Sequence, residues 1–189
     1  ITIAQMTRLA GRLRDETDLP IGVNVLRNDA LAALAIAVAC GASFIRVNVL
    51  SGARVTDQGV IEGQAHELLR QRDALGAREV RIFADVDVKH SAPLAPRPLE
   101  DEAVDLVRRA GADAVIVTGS GTGRTTAPAD ARKVREAIGE HPLIIGSGIT
   151  EENVRKFGRY ADGFIVGSGL KMNGDPGQPI DTDRVRRLV

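Results

Sequence analysis

Short β-rich runs and amphipathic helical patterns alternate six times along this chain, and that alternation constrains its fold more than any other feature. The strands are expected at residues 20–26, 44–49, 80–88, 113–118, 143–146 and 163–167. Helical patterns fill 3–16, 29–40, 63–75, 99–110, 128–138 and 151–160. In the first of these, Ile3, Met6, Leu9, Ala10 and Leu13 recur at helical spacing. Strands separated by helices pair in parallel, so the chain reads as an α/β protein. Gly41-Ala42, Gly76-Ala77 and Gly111-Ala112 each close a helix just before a strand, and Gly139 closes another. Those links are short. The strand-to-helix links at 50–63 and 89–102 are long, polar and rich in Gly or Pro. Long loops on one side of a rigid scaffold carry function, which places the working face at the C-terminal ends of the strands.

The side-chain pattern within the strands separates the two folds this alternation allows. An open doubly wound sheet lies under helices on both faces, so both faces should be apolar. Here the segment RIFADVDVKH (81–90) sets Ile82, Ala84, Val86 and Val88 on one face, with Phe83, Asp85, Asp87 and Lys89 on the other. Likewise Ile45, Val47 and Val49 alternate with Arg46 and Asn48, and Asn24 alternates with Val23 and Val25. A barrel accounts for this: one face meets helices, and the other points into a lumen that becomes polar toward its rim. The expected architecture is a (β/α)8 TIM barrel, with residues 1–189 forming one domain. A closed barrel needs eight strands in about 250 residues. Six are visible and the sequence starts at Ile1 inside a helical pattern, so the first strand-helix unit and the second strand are expected to be missing from it.

Composition removes several function classes. Twenty-five basic residues balance 25 acidic ones, which gives no electrostatic pull toward nucleic acid or anionic membrane. No apolar run approaches the roughly 20 residues that span a bilayer. The single cysteine, Cys40, excludes an intrachain disulfide and reads as a small buried hydrophobe. No secretory signal is visible, and a cytoplasmic location follows by default.

The polar lumen supplies the first candidate site. Asp85, Asp87 and Lys89 are two residues apart on one strand and are expected to point the same way. Arg46, Asn48 and Asn24 should enter the same space, where unpaired charges would be costly. Asp85 is expected to pair with Arg46, and Asp87 and Lys89 to sit nearer the rim. A lysine among carboxylates suits proton transfer, with imine chemistry disfavoured because the carboxylates favour the ammonium. The plainer reading is an ion network that fills a polar interior. His90 either reaches the site or caps the strand exit, while His66 and His141 read as surface residues. No HExxH-type spacing is present. Metal binding by Asp57, Asp85 or Asp87 is the weaker reading, and no cofactor is expected.

Two glycine-bearing turns supply the second. Gly146, Ser147 and Gly148, then Gly167, Ser168 and Gly169, follow the last two strands. Glycines let amide N–H groups converge on a phosphate, and loops after strands seven and eight bind phosphate in many barrels. Tight turns alone would also use glycine. Thr150 reads as the N-cap of a helix beginning at Glu151. A third such loop, 118–126, carries Thr118 and Arg124 as candidate substrate contacts.

Taken jointly, VNVLRND (23–29), FIRVNV (44–49), TDQGVIEG (56–63), ADVDVKH (84–90), VTG (117–119), GSG (146–148) and DGFIVGS (162–168) resemble the BtpA family over nearly the whole chain. The resemblance implies a (β/α)8 TIM barrel of the ribulose-phosphate-binding type, whose N-terminal section has no counterpart here. The family takes its name from a role in photosystem I biogenesis, and members elsewhere are described as nucleosidases or carry no assigned activity. No mechanism carries over. The matching positions are Asn24, Arg27, Asn28, Asp29, Arg46, Asn48, Asp57, Asp85, Asp87, Lys89 and His90.

The expectation is therefore an enzyme, of nucleosidase, isomerase or lyase type, acting on a phosphorylated sugar or nucleoside-like molecule. Asp85, Asp87 and Lys89 are the catalytic candidates, with proton transfer assigned to Asp87 and Lys89. Asn24, Arg27, Arg46, Asn48, Asp57, His90 and Thr118 would contact substrate, with the turn at 56–59 closing over it. The two glycine turns would hold its phosphate. A non-catalytic assembly or regulatory factor is the alternative, and open sheet edges would favour association with a second copy.

Overall fold

The computed structural model describes residues 1–88, 90–119 and 126–188. All six expected strands are present, each shorter than its apolar pattern. They are β1 (Gly22–Val23), β2 (Phe44–Val47), β5 (Arg81–Val86), β7 (Ala114–Val117), β8 (Leu143–Ile145) and β9 (Gly163–Phe164). They pair in parallel in the order β1-β2-β5-β7-β8-β9, which is the order of the chain. A doubly wound sheet reverses strand order at a switch point, whereas a barrel advances one way. These strands form a curled arc of (β/α)8-barrel architecture.

The helices are α1 (Thr2–Glu16), α2 (Ala30–Cys40), α3 (Ala65–Ala74), α4 (Leu99–Arg108), α5 (Pro128–Ile138), α6 (Val154–Phe157) and α7 (Thr182–Leu188). Local chemistry sets their ends. Asp29 caps α2 by accepting a 2.9 Å bond from the Ala32 amide, and Gly41 closes it at φ 67°. The acidic first turn of α4 (Glu100, Asp101, Glu102) complements the helix dipole, and Pro128 opens α5 where no amide donor is needed.

One core lies between sheet and helices. Val23, Ile45, Val47, Ile82, Ala84, Val86, Val115, Val117, Leu143 and Ile145 face outward from the strands. They pack against Leu34 and Ile36 of α2, Leu68 of α3, Leu106 of α4, Val134 of α5 and Phe157 of α6. Each large side chain buried there contributes about 1.5–3 kcal/mol. Cys40 belongs to this core and is a free thiol. The opposite face begins at the bottom with Phe44 stacked on Phe83, ring centroids 4.5 Å apart. Gly22 faces that stack, and a Cβ there would lie 2.1 Å from the Phe44 ring.

The expected polar loop at 50–63 instead contains a hairpin, β3 (Ala53–Thr56) and β4 (Gly59–Glu62). Its two-residue turn, Asp57-Gln58, is closed by Thr56, whose hydroxyl donates to the Gly59 carbonyl at 3.0 Å and accepts from the Gln58 amide at 3.1 Å. A short strand, β6 (Ser91–Pro93), pairs with the other edge of β3. The helix expected at 151–160 contracts to α6, and α7 was not foreseen. Among the described residues no helix is long and apolar enough to cross a membrane.

Candidate functional site at the C-terminal ends of the strands

The lumen charges expected on β2 and β5 form one connected network. Arg46 meets Asp85 with two parallel bonds, Nε to Oδ1 at 3.0 Å and Nη2 to Oδ2 at 2.9 Å. Asn48 Nδ2 donates to the same Oδ2 at 2.7 Å. Asn24, from the end of β1, donates to the Arg46 carbonyl at 2.9 Å and to Asn48 Oδ1 at 3.2 Å. The Asp85 side chain is completely buried. The three bonds it accepts make the carboxylate an anchor for the side chains around it. Asp85 therefore organises the lumen. Asn28 ties the β1–α2 loop to the end of β2 from above. Its side chain donates to the Val49 carbonyl and accepts from the Val49 amide, both at 2.8 Å.

Asp87 does not continue the alternation. The strand ends at Val86, Asp87 takes φ 49°, and its side chain is 61% exposed. Its carboxylate pairs with Arg54 of β3. Arg54, itself buried, also donates to both carboxylate oxygens of Glu102 on α4 (3.2 and 3.3 Å) and to Ser91 Oγ (2.7 Å). The Asp87 amide adds a 3.2 Å bond to Glu102. Asp87, expected to continue the lumen face of the strand, instead forms one jaw of a clasp that holds the hairpin against α4. A left-handed residue at the strand exit breaks the period of two on which that expectation rested. Lys89 lies outside the described residues. His90, at φ 58°, is exposed, and its carbonyl accepts from Arg27 Nη2 at 3.4 Å.

Arg27 and Asp57, expected near the substrate, meet each other at 2.7 Å, which ties the hairpin tip to the β1–α2 loop. Arg54, Glu102 and Ser91 were absent from the sequence reading. The alternation of ARVT and GVIE about a short Asp-Gln turn was the available signal for the hairpin that carries Arg54.

On the other side of the rim the polar groups are open. Thr118, after β7, lies beside Gly146, after β8: a Cβ on Gly146 would stand 3.0 Å from Thr118 Cγ2 and 2.7 Å from Ile116 Cγ2. Thr118 Oγ1 and Ser147 Oγ are buried with no hydrogen-bond partner among the described residues. Gly148 is left-handed at φ 69°, and Ser168–Leu170 forms a single 3-10 turn. Gly169 approaches the first loop so closely that a Cβ would lie 2.3 Å from the Ile149 carbonyl oxygen. The two glycine loops expected to hold phosphate are therefore in contact. Among the described residues, the amides of Gly148, Ser168 and Gly169 donate to no backbone carbonyl. Arg124 and the rest of 120–125 lie outside the described residues.

Thr150 is not the expected N-cap. Its hydroxyl donates to Glu152 at 2.6 Å, and Asn153 precedes the four-residue α6. That bond, with a backbone contribution, holds the Glu152 carboxyl below its usual titration range. Asn153 fixes the turn, donating to the Gly148 carbonyl at 2.7 Å and accepting from the Thr150 amide at 2.9 Å. Arg187 of α7 pairs with Glu151 at 2.8 Å. Among the described residues no group of three or more His, Cys, Asp or Glu is placed to hold a metal ion.

The BtpA family model matches residues 1–189. An uncharacterized protein of Thermococcus kodakarensis is 48% identical over 190 residues, covering 100% of this chain and 70% of that protein. The photosystem I biogenesis protein BtpA of Synechocystis is 44% identical over 187 residues, covering 99% of this chain and 65% of that protein. Among solved structures, N-(5'-phosphoribosyl)anthranilate isomerase from Pyrococcus furiosus superimposes with a TM-score of 0.64 at 16% identity, over 96% of this chain and 78% of that one. KGPDC from Streptococcus mutans gives 0.63 at 18% identity, over 96% and 76%.

Proposed function

The chain belongs to the BtpA family, and on that premise we propose that it is an enzyme binding a phosphorylated sugar or nucleoside-like molecule at the C-terminal rim of its barrel. The observation that carries this reading is the contact between two glycine loops at adjacent strand ends, with amides and buried hydroxyls beside them that have no acceptor among the described residues. Converging N–H donors in a turn are a general solution to phosphate binding. The phosphate sits on Gly146, Ser147 and Gly148 and on Gly167, Ser168 and Gly169, with Thr118 at their edge.

The sugar then extends over the network of Asn24, Arg46, Asn48 and Asp85. Those groups are already bonded to one another, so they offer a preorganised surface with little to reorganise on binding. Asn24 Oδ1, with no donor among the described residues, accepts a hydrogen bond from a sugar hydroxyl. Lys89 carries proton transfer, and chemistry at a sugar carbon of nucleosidase, isomerase or lyase type fits this assignment. Solved neighbours with the same fold include an isomerase of a phosphoribosyl compound, which supports the substrate class through fold alone.

Isothermal titration with ribose 5-phosphate and with ribose tests the reading. Binding of the phosphate ester with no measurable binding of ribose is expected, and equal behaviour of the two would sink it.

A second reading is a non-catalytic assembly factor, favoured by the 44% identity to a photosystem I biogenesis protein. It predicts function retained when Lys89 is replaced by Met and the glycine loops are blocked.

A further inference from the structure

Three arginines stand on or near the described rim, and they differ in how firmly their charge is committed. Arg46 is locked by two bonds to the buried Asp85 carboxylate. Arg54 is held by two carboxylates and a hydroxyl. Arg27 faces one carboxylate, Asp57, which is 66% exposed, and its own Nε is buried without a partner among the described residues. An ion pair with so exposed a partner contributes little and is readily exchanged.

The position of Arg27 matters as much as its pairing. It follows β1, yet it contacts the carbonyl of His90, which follows β5. Strand β2 lies between them in the sheet, so the guanidinium bridges over the end of β2, the strand whose polar side chains feed the lumen network. A molecule anchored by phosphate on the glycine loops and extending across the rim would meet this cation on the far side.

We infer that Arg27 reads a second anion: the ligand is an organic phosphate that also carries a carboxylate, and that carboxylate takes the place of Asp57 on Arg27. The exchange satisfies the orphaned Nε, because a carboxylate engages the planar guanidinium at two points where Asp57 engages it at one. It also frees the tip of the hairpin when ligand is bound. This inference rests on the phosphate reading above.

The test is calorimetric titration of two probes that differ only in that group, 3-phosphoglycerate and glycerol 3-phosphate. The protein is expected to bind 3-phosphoglycerate about tenfold more tightly or better, as for a charge-assisted bond to a desolvated group. In Arg27→Met the affinity for 3-phosphoglycerate should fall to that for glycerol 3-phosphate on the same variant. Asp57→Asn, at an exposed turn that tolerates the change, removes the competitor and should tighten 3-phosphoglycerate binding by about two- to fivefold. Weaker binding in Asp57→Asn would make Asp57 a strut and not a competitor, and would overturn the inference. Equal affinities for the two probes in the unaltered protein would overturn it too while leaving the phosphate reading intact. Failure of both probes to bind would overturn both.

Discussion

The two halves of the rim are built on opposite terms. On the β1-β2-β5 side the lumen groups hold one another: Asn24 holds Asn48, Asn48 holds Asp85, and Asp85 holds Arg46. On the β8-β9 side two loops touch at Gly169 and Ile149, while among the described residues the buried Ser147 hydroxyl and the amides of Gly148, Ser168 and Gly169 have no partner. The difference separates stability from recognition. Groups that bond one another hold the scaffold and present a fixed surface, whereas donors without an acceptor are stabilised by a ligand. The expectation for Asp85 and Asp87 rested on residue type and period-two spacing. Their partners add that one ties the lumen together and the other ties a hairpin to α4.

Replacing Asp85 by Ala breaks the first half most severely. It leaves the Arg46 guanidinium without its buried carboxylate, and a loss of about 3–5 kcal/mol is expected from urea denaturation at pH 7. A loss below about 1 kcal/mol would mean that the network contributes little. Gly169→Ala acts on the second half. Its Cβ would meet a backbone oxygen at 2.3 Å, so the loops must part, at about 1–3 kcal/mol, and ribose 5-phosphate binding should weaken with it. Unchanged affinity alongside reduced stability would detach the loop contact from recognition.

The smallest effect is expected from Asp162, which ties β9 to β8 below the loops. Desolvation raises its titration range, but the Leu143 amide and Arg135 outweigh that and hold the carboxyl below its ordinary value. A carboxyl depressed in the folded state stabilises above its unfolded value and loses that contribution as pH falls through the folded one. Asp162→Asn should therefore cost about 1 kcal/mol or less at neutral pH and flatten the acid-side fall in thermal midpoint. An unchanged acid slope would remove Asp162 from that account.

Period-two alternation in Val23 to Val25, Ile45 to Val49 and Ile82 to Asp85 was enough to place the strands and to foresee the Arg46–Asp85 pair, because a strand's faces follow from covalent geometry. The hairpin was missed for a related reason. Thr56, Asp57, Gln58 and Gly59 read as polar loop because β3 and β4 bury little of the apolar surface that marks a strand. Their pairing becomes favourable when Arg54 finds Glu102 on a helix 48 residues away. Asp87 shows the same limit at a single residue, since one left-handed backbone angle turned a lumen candidate outward.

What the sequence determined by itself was whatever depends on near neighbours: the order of strands and helices, the glycine closures, the apolar face of each strand and hence the barrel. The tertiary structure decided which charges neutralise one another and which donors stay open. Those outcomes depend on distances between residues far apart in the chain, and a side chain's capacity to bind depends on the partners already holding it.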